Sequence, residues 1–368
     1  MNVLIISTHD QQGGAAIAAY RLLEALNRSG VAANMLTLHK RSDNDNVVEV
    51  GNNIFNKYRF TAERAAIYIQ NGFSRKNLFD ISIANTGVSI TNHPAFKRAD
   101  IVHLHWINQG MLSVREIGEI VASGKKIVWT MHDMWSFTGI CHHARECKRF
   151  ETGCGLCPYL NNPSKGDISY NTYLRKQAAY SLGRIHFVAC SNWLKELALK
   201  SKLTKNHNVS AIANPINTDT YIPKDKTTVR IAMKLPIDKK IILFAAAKVS
   251  DKRKGIDYLI EASKIIAQKD NNNYMFLIAG GNSEEIINQL ALPAVSVGYV
   301  ASSEMPNLYN AADLFVTPSL QENLPNTIME SMACGTPCVG FNIGGVPEMI
   351  DHKQNGYISN YKDAQDLA

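Results

Sequence analysis

KKIILFAAAKVSDKRKGIDYLIEASKIIAQKDNNNYMFLIAGG, residues 239–281, decides the fold class. The apolar run IILFAAA is followed by the helical pattern IDYLIEASKIIAQ and then by a second apolar run, YMFLIA. Short runs without polar alternation read as strands buried on both faces, and strand, helix and strand in succession make a parallel crossover unit. The same grammar continues through AVSVGYV, DLFVTPS and GTPCVGF. It is also present earlier, in Val3-Leu4-Ile5-Ile6, Ile101-Val102-His103-Leu104, Ile127-Val128-Trp129 and His186-Phe187-Val188-Ala189, with the helical pattern AAIAAYRLLEAL after the first run. Two such series imply two α/β domains, each a doubly wound parallel sheet.

The 368 residues are enough for two separate cores. With 45% hydrophobic and 19% charged residues, and no low-complexity tract or repeat, the composition excludes a disordered chain. The opening NVLIIS lacks the basic flank and cleavage site of a signal peptide, and IILFAAAKV is interrupted at Lys248, far short of a bilayer span. A cytoplasmic location is therefore expected. The domains are expected at 1–215 and 236–368, joined by a linker at about 215–235, where IANPINTDTYIPKDKT has two prolines and no period. Charge is uneven: residues 1–215 hold 25 Lys/Arg against 15 Asp/Glu, and the remainder 14 against 17. The first domain should face something anionic.

In doubly wound domains ligands bind at the carboxyl ends of the strands, so motifs just after strands matter most. Gly13-Gly14 follows the first strand and opens a helix, where backbone N–H groups can point at an anion; the same pair also serves as a plain structural turn. The full GxGxxG fingerprint is absent, which argues against a dinucleotide-dependent oxidoreductase. Gly280-Gly281, after FLIA, repeats the arrangement. In QENLPNTIMESMACGTP, residues 321–337, Gln321 to Leu324 form the loop after the strand DLFVTPS, and Pro325 suits the first helical position. Glu322 then lies in the loop and Glu330 in the second turn of the helix. A carboxylate so placed can accept two hydrogen bonds from a vicinal diol such as a ribose, while a helix N-terminus and nearby cations hold phosphates. The alternative is that Glu322 offsets the helix dipole and Glu330 is solvated.

The run VGYVASSEMPNLYNAADLFVTPSLQENLPNTIMESMACGTPCVGFNIGGVPEMIDHKQNGYIS resembles the donor-binding half of retaining glycosyltransferases of family 4, which have the GT-B architecture of two Rossmann-like domains facing across a cleft. The likeness extends over about residues 241–360, and HDQQGGAA, DIVHLHW, WTMHDMW, VACSNWLKE and IANPINTDTY follow in the expected order in the first half. Within the family the chain is similar to cytoplasmic enzymes of bacterial exopolysaccharide or capsule assembly, of the colanic-acid kind. The resemblance implies that Glu330 bonds the ribose of a UDP- or GDP-sugar and that Glu322, with Asn323 and Leu324, approaches the transferred sugar. It implies that Lys254 neutralises the leaving diphosphate, that the backbone of Gly298 and Tyr299 meets the base, and that Gly13, Gly14 and Gly280 border the donor. His132, at the end of the strand IVWTM, would stand near donor sugar and acceptor.

Two positions depart from the family pattern. Relatives place an arginine where this chain has Val249, so Lys248 or Arg253 would supply that cation. Pro325 replaces a glycine whose N–H would meet the donor sugar. The resemblance also implies retention by front-face attack, with no metal or other cofactor required for the chemistry. The expected partners are the nucleotide-sugar donor and a glycan or polyprenyl-pyrophosphate-linked acceptor, with no nucleic acid. Two other classes share this pattern: a GT-B nucleotide-sugar epimerase, which needs no acceptor, and a non-catalytic sugar-nucleotide-binding subunit. The last is favoured by Val249 and by a chain that stops at YKDAQDLA, where relatives continue with further helices.

Cys141, Cys147, Cys154 and Cys157 crowd into GICHHARECKRFETGCGLCPYL, within an insertion at about 134–170, whereas Cys190, Cys334 and Cys338 read as core residues. Four thiolates at this spacing can close a tetrahedral structural zinc site, with His142 or His143 as substitute ligands; the alternatives are reduced thiols and disulfides. NKYRFTAERAAIYIQNGFSRKNLF, residues 56–79, is basic and aromatic. It reads either as a surface helix packed on the first sheet or as a peripheral contact with the inner face of an anionic membrane.

Overall fold

The computed structural model describes residues 1–368 apart from the Asn53 side chain, and the chain divides into two compact units, Met1–Pro215 and Ile216–Ala368. The first unit holds strands β1 (Asn2–Ile6), β2 (Ala32–Thr37), β3 (Val47–Glu49), β4 (Ile101–Leu104), β5 (Lys126–Met131), β6 (Ile185–Ala189) and β7 (Asn208–Ala211). Their spatial order is β3-β2-β1-β4-β5-β6-β7, and every pairing is parallel. Helices α1 (Gly14–Arg28), α2 (Asn53–Gln70), α3 (Pro94–Arg98), α4 (Val114–Ala122), α5 (Ile168–Tyr180) and α6 (Asn192–Lys200) cover it. The central strand shows why its sequence lacks polar alternation: Leu4 and Ile6 enter the main core, while Val3 and Ile5 pack with Ala19 and Leu23 of α1 on the other face. Each of these leucine, isoleucine and valine side chains stabilises the fold by about 1.5–3 kcal/mol when fully buried.

The second unit repeats the plan with β8 (Lys240–Lys248), β9 (Tyr274–Gly281), β10 (Ala294–Gly298), β11 (Leu314–Thr317), β12 (Cys338–Phe341) and β13 (Gly356–Ser359), in the order β10-β9-β8-β11-β12-β13. All pairs are again parallel. Its helices are α7 (Lys226–Ala232), α8 (Ile256–Lys269), α9 (Glu284–Ile287), α10 (Met305–Ala311), α11 (Asn326–Ala333) and α12 (Ala364–Leu367). In both sheets the order reverses beside the first strand of the unit, which opens a crevice at the carboxyl ends of the strands.

Two expectations are corrected. The segment expected to be a linker at 215–235 packs onto the second unit: Tyr221 and Val229 enter its core, and Arg230 pairs with Asp313 at 2.6 Å. Scattered apolar anchors and a buried guanidinium, without regular apolar periodicity, fix this segment, so the sequence pattern hides it. The reading of 56–79 as one helix also fails, because α2 stops at Gln70 and Gly72, Phe73 and Asn77 adopt left-handed backbone. Among the described residues no helix is long and apolar enough to cross a membrane.

Candidate active site

In the second unit the loops after β8, β11 and β12 are locked together by close backbone approaches. The turn after β8 carries Lys252–Lys254 as one 3-10 turn and ends at Gly255 with φ 73°. A Cβ on Gly255 would stand 1.7 Å from the Pro318 carbonyl oxygen, so only glycine lets this turn meet the loop after β11. The Leu320 amide donates to the Arg253 carbonyl at 2.7 Å, closing the same contact. On the other side, the Gly345 amide donates to the Asn323 carbonyl at 2.7 Å, and a Cβ on Gly344 would meet the Glu322 carbonyl at 1.9 Å. Glu322 and Asn323 are thereby clamped from both sides.

Within this frame the Lys254 ammonium donates to Glu322 Oε1. Glu330 occupies the fifth position of α11 and is 5% exposed. Its Oε2 accepts the Tyr309 hydroxyl at 2.8 Å. Burial, followed by the Glu330 carboxylate, pushes the Tyr309 phenol well above its ordinary range, so the hydroxyl keeps its proton and donates. The solvated alternative for Glu330 is excluded by its burial. Pro325 is the N-cap rather than the first helical residue, one position earlier than expected.

The remaining expected donor residues are placed unevenly. Val249 is fully buried in the core under the sheet, so it presents nothing in place of the family's arginine. Arg253 is turned onto Asp251, with contacts of 2.7–3.2 Å, whereas Lys248 is exposed at the end of β8. Gly280 does not open a helix, which corrects the analogy with Gly13: it lies inside β9, where a Cβ would stand 1.8 Å from the Ala246 carbonyl. Gly298 ends β10 in left-handed conformation, beside a 73% exposed Tyr299. Leu324 is half-buried.

In the first unit Gly13, with φ 91°, begins α1, which has neither a side-chain cap nor an acidic residue in its first turn. Gly14 is the first residue of that helix. His132 follows β5 and its Nε2 lies 2.9 Å from His105 Nδ1, while its Nδ1 lies 3.7 Å from Cys190 Sγ. His103 joins the group through ring contact with His105 and a 2.8 Å bond between its Nε2 and Thr130 Oγ1. Beside them, Asp133 Oδ2 accepts from Trp106 Nε1 at 2.9 Å and lies 2.7 Å from His142 Nδ1. Burial opposes the charge on Asp133, but the His142 ring, His143 and the Trp135 amide hold its carboxyl well below the usual range. Four buried polar atoms at the ends of β1 and β4, Ser7 Oγ, His9 Nδ1, His105 Nε2 and Asn108 Nδ2, find no partner among the described residues.

Burial lowers His132 to about 4, against the opposing pull of Asp133, and lowers His103 to about 3. His105 is driven well below its ordinary value by the same cause. In the unfolded chain these imidazoles protonate near pH 6.5, so between pH 6.5 and about 4 the unfolded state takes up protons that the folded state refuses. The contribution of these imidazoles to stability should therefore be constant above pH 6.5 and decline as pH falls through that window, by up to about 1.4 kcal/mol per pH unit for each. Thermal melts of wild type and His103→Gln from pH 7.5 to 4.5 check this. A flatter decline in the variant is expected, and superimposable curves would contradict it.

The cysteine cluster lies elsewhere in the first unit. All four residues line one cavity of about 20 Å³. His142 does not line it and is engaged with Asp133 instead. Sequence reading passed over His105, Tyr309 and Gly344-Gly345. The alternating histidines of VHLHW and the glycine pair of NIGGVPE were visible signals, whereas Tyr309 reads only as a core aromatic of α10.

Comparison with known proteins places these units. Residues 12–220 match the profile of Glycosyltransferase Family 4, and residues 239–368 match that of Glycosyl transferases group 1. The chain is 28% identical over 177 residues to an uncharacterized glycosyltransferase of Haemophilus influenzae, a match covering 47% of each chain. It is 28% identical over 187 residues to the putative colanic acid biosynthesis glycosyl transferase WcaC of Escherichia coli, covering 49% of this chain and 45% of WcaC. The matched stretches thus span less than half the length of these relatives. Among solved structures, that of Anabaena HepE in complex with UDP and glucose superposes with a TM-score of 0.62 at 16% identity, covering 100% of this chain and 88% of HepE. With the first profile alone taking in more than half of its residues, the chain belongs to glycosyltransferase family 4, and its two parallel-sheet units are those of the GT-B fold.

Proposed function

We propose that the protein is a retaining glycosyltransferase that moves a sugar from a UDP- or GDP-sugar to a glycan or lipid-linked glycan acceptor in surface polysaccharide assembly. The observation that carries this reading is the Lys254–Glu322 pair on interlocked loops at the carboxyl end of one sheet, with Glu330 buried on the helix that follows the Glu322 loop. Glu330 accepts hydrogen bonds from the ribose, and Lys254 meets the negative charge that grows on the diphosphate as the glycosidic bond breaks. Glu322 holds the ammonium and borders the sugar. Similarity to HepE, described in complex with UDP and glucose, favours a nucleotide-sugar donor, and similarity to WcaC favours polysaccharide assembly.

His132, held neutral near pH 7 by burial and with its ring nitrogens beside His105 and Cys190, borders the acceptor hydroxyl and is not the proton acceptor. The acceptor proton passes to the leaving phosphate oxygen on the same face of the sugar. The unpartnered atoms of Ser7, His9, His105 and Asn108 suit a hydroxyl-rich acceptor. Incubation with labelled UDP- and GDP-sugars and polyprenyl-pyrophosphate glycans should transfer label with the donor anomer kept. An inverted product would overturn retention, and epimer formation from donor alone would indicate an isomerase.

Docking of the acceptor lipid places the protein at the inner face of the cytoplasmic membrane. Phe55, Tyr58, Phe73 and Phe79 are each more than 60% exposed on α2 and the following loop, and Lys57, Arg75 and Lys76 lie among them. Exposed aromatics beside cations suit the surface of an anionic bilayer. Sedimentation with phosphatidylglycerol vesicles at low salt should capture the wild type and several-fold less of Phe55→Ser/Tyr58→Ser. Equal capture of both proteins, or of neither, would contradict this contact.

A further inference from the structure

Cys141, Cys147, Cys154 and Cys157 serve no step of the proposed transfer, yet all four line one small cavity. The cavity they line, about 20 Å³, also has Phe150 and Tyr159 in its walls. A space of this size holds about one water-sized particle. The segment that builds it has little ladder structure of its own. Between Gly139 and Asp167 the only helical turn is Arg149–Glu151, and Arg145, Gly153, Cys154, Gly155 and Leu156 all adopt left-handed backbone.

One sulfur of the cavity already has a backbone donor. The Gly139 amide donates to Cys154 Sγ at 3.2 Å. Gly139 is fixed there by the chain itself, since a Cβ would stand 2.4 Å from the Ser169 carbonyl. Lys176 of α5 provides a second and independent observation. Its ammonium is fully buried, donates to the carbonyls of Trp135 at 2.5 Å and Thr138 at 3.0 Å, and lies 3.3 Å from the centre of the Trp135 ring. Burial pushes its pKa well below the ordinary lysine range, Cys154 and Cys141 and then Asp133 oppose that push, and no carboxylate among the described residues forms an ion pair with it. A buried ammonium with only carbonyl partners is costly unless a counter-charge stands nearby. Four thiolates around a divalent cation carry a net charge of about −2 and supply one.

We propose that Cys141, Cys147, Cys154 and Cys157 bind one Zn²⁺ as a structural tetrathiolate, with Lys176 as its buried counter-charge. Among the described residues no three Cys, His, Asp or Glu side chains already stand at metal-bonding geometry. Binding therefore draws the sulfurs inward, and each ligating thiol gives its proton to solvent. The ion cross-links the insertion between β5 and α5, the stretch that also supplies His142 to Asp133. Zinc suits four soft sulfur donors in a tetrahedral arrangement and asks nothing of the transfer chemistry.

Elemental analysis of the full chain, purified with reductant and without chelator, should find about one zinc per chain. Exchange with Co²⁺ should give thiolate charge-transfer bands and the strong visible bands of tetrahedral cobalt. Lys176→Met, which keeps the length and packing of the side chain, should release zinc to a chelator at least about tenfold faster than wild type. These readouts use folded protein and do not depend on a Cys154→Ser/Cys157→Ser variant, which should lose the metal if it folds. Less than about a tenth of an equivalent after reconstitution with zinc would overturn the proposal. Cobalt spectra without thiolate bands, or a Cys154–Cys157 disulfide in freshly purified protein, would do the same. None of these outcomes bears on donor binding in the second unit, so the zinc site and the transferase reading fail separately.

Discussion

Lys254→Ala is expected to lower kcat by about 10²- to 10³-fold while leaving the melting temperature nearly unchanged. The size of the rate effect follows from preorganisation. Gly255 seats the 3-10 turn against Pro318, and the Leu320 amide bonds the Arg253 carbonyl, so the ammonium is aimed before any substrate arrives. Charge that develops on a diphosphate then meets a fixed cation and needs no reorganisation. The small stability effect follows from exposure. The Lys254 side chain is 36% exposed, and an ion pair at that depth contributes at most about 1 kcal/mol. Lys254→Arg should restore only part of the rate, because a planar fork does not replace a compact ammonium in a clamped turn. Steady-state rates and thermal melts on the same preparations check this. Full activity in Lys254→Ala would remove the residue from the mechanism.

Glu330→Gln is expected to weaken binding of the donor nucleotide by at least about tenfold, since charge-assisted bonds to a ribose are worth roughly 1.5–3 kcal/mol each. Glutamine is the informative substitution because the carboxylate has a second task. It accepts the hydroxyl of Tyr309, a fully buried side chain, at 2.8 Å. Glu330→Ala would leave that hydroxyl unsatisfied at a cost of about 1–3 kcal/mol, confounding loss of affinity with loss of fold. The glutamine carbonyl can still accept from Tyr309, so size and packing are kept while the charge is removed. Tyr309→Phe serves as the reciprocal control: it should lower stability and leave affinity within about twofold of wild type. Affinity lost equally in both variants would assign Glu330 to structure alone.

These residues also show what a sequence discloses and what it hides. The central strands β1, β4, β5, β6, β8, β9, β11 and β12 were legible because burial on both faces leaves uninterrupted apolar runs. Strands β2, β3, β7 and β13 were not. VVE, NVSA and GYIS are short edge strands, and AANMLT, though buried on both faces, carries Asn34 and Thr37 in place of an uninterrupted apolar run. Glu322 and Glu330 were found because the strand-loop-helix pattern places them. Their supports were hidden, because close approaches at Gly255 and Gly344 depend on parts of the chain distant in sequence. Gly280 shows the opposite error. Two glycines after a strand look like an anion-binding turn, but a neighbouring carbonyl explains the first of them. Lys176 could not be anticipated at all, since an isolated lysine in a helical pattern reads as solvated.

Calorimetric titration of UDP and GDP into the wild-type chain, with Glu330→Gln and NAD as controls, tests the central claim most directly. Saturable, one-to-one binding of UDP or GDP is expected, weakened at least about tenfold in Glu330→Gln, with no comparable binding of NAD. Binding of neither nucleotide to the folded protein, or equal affinity in wild type and variant, would contradict it.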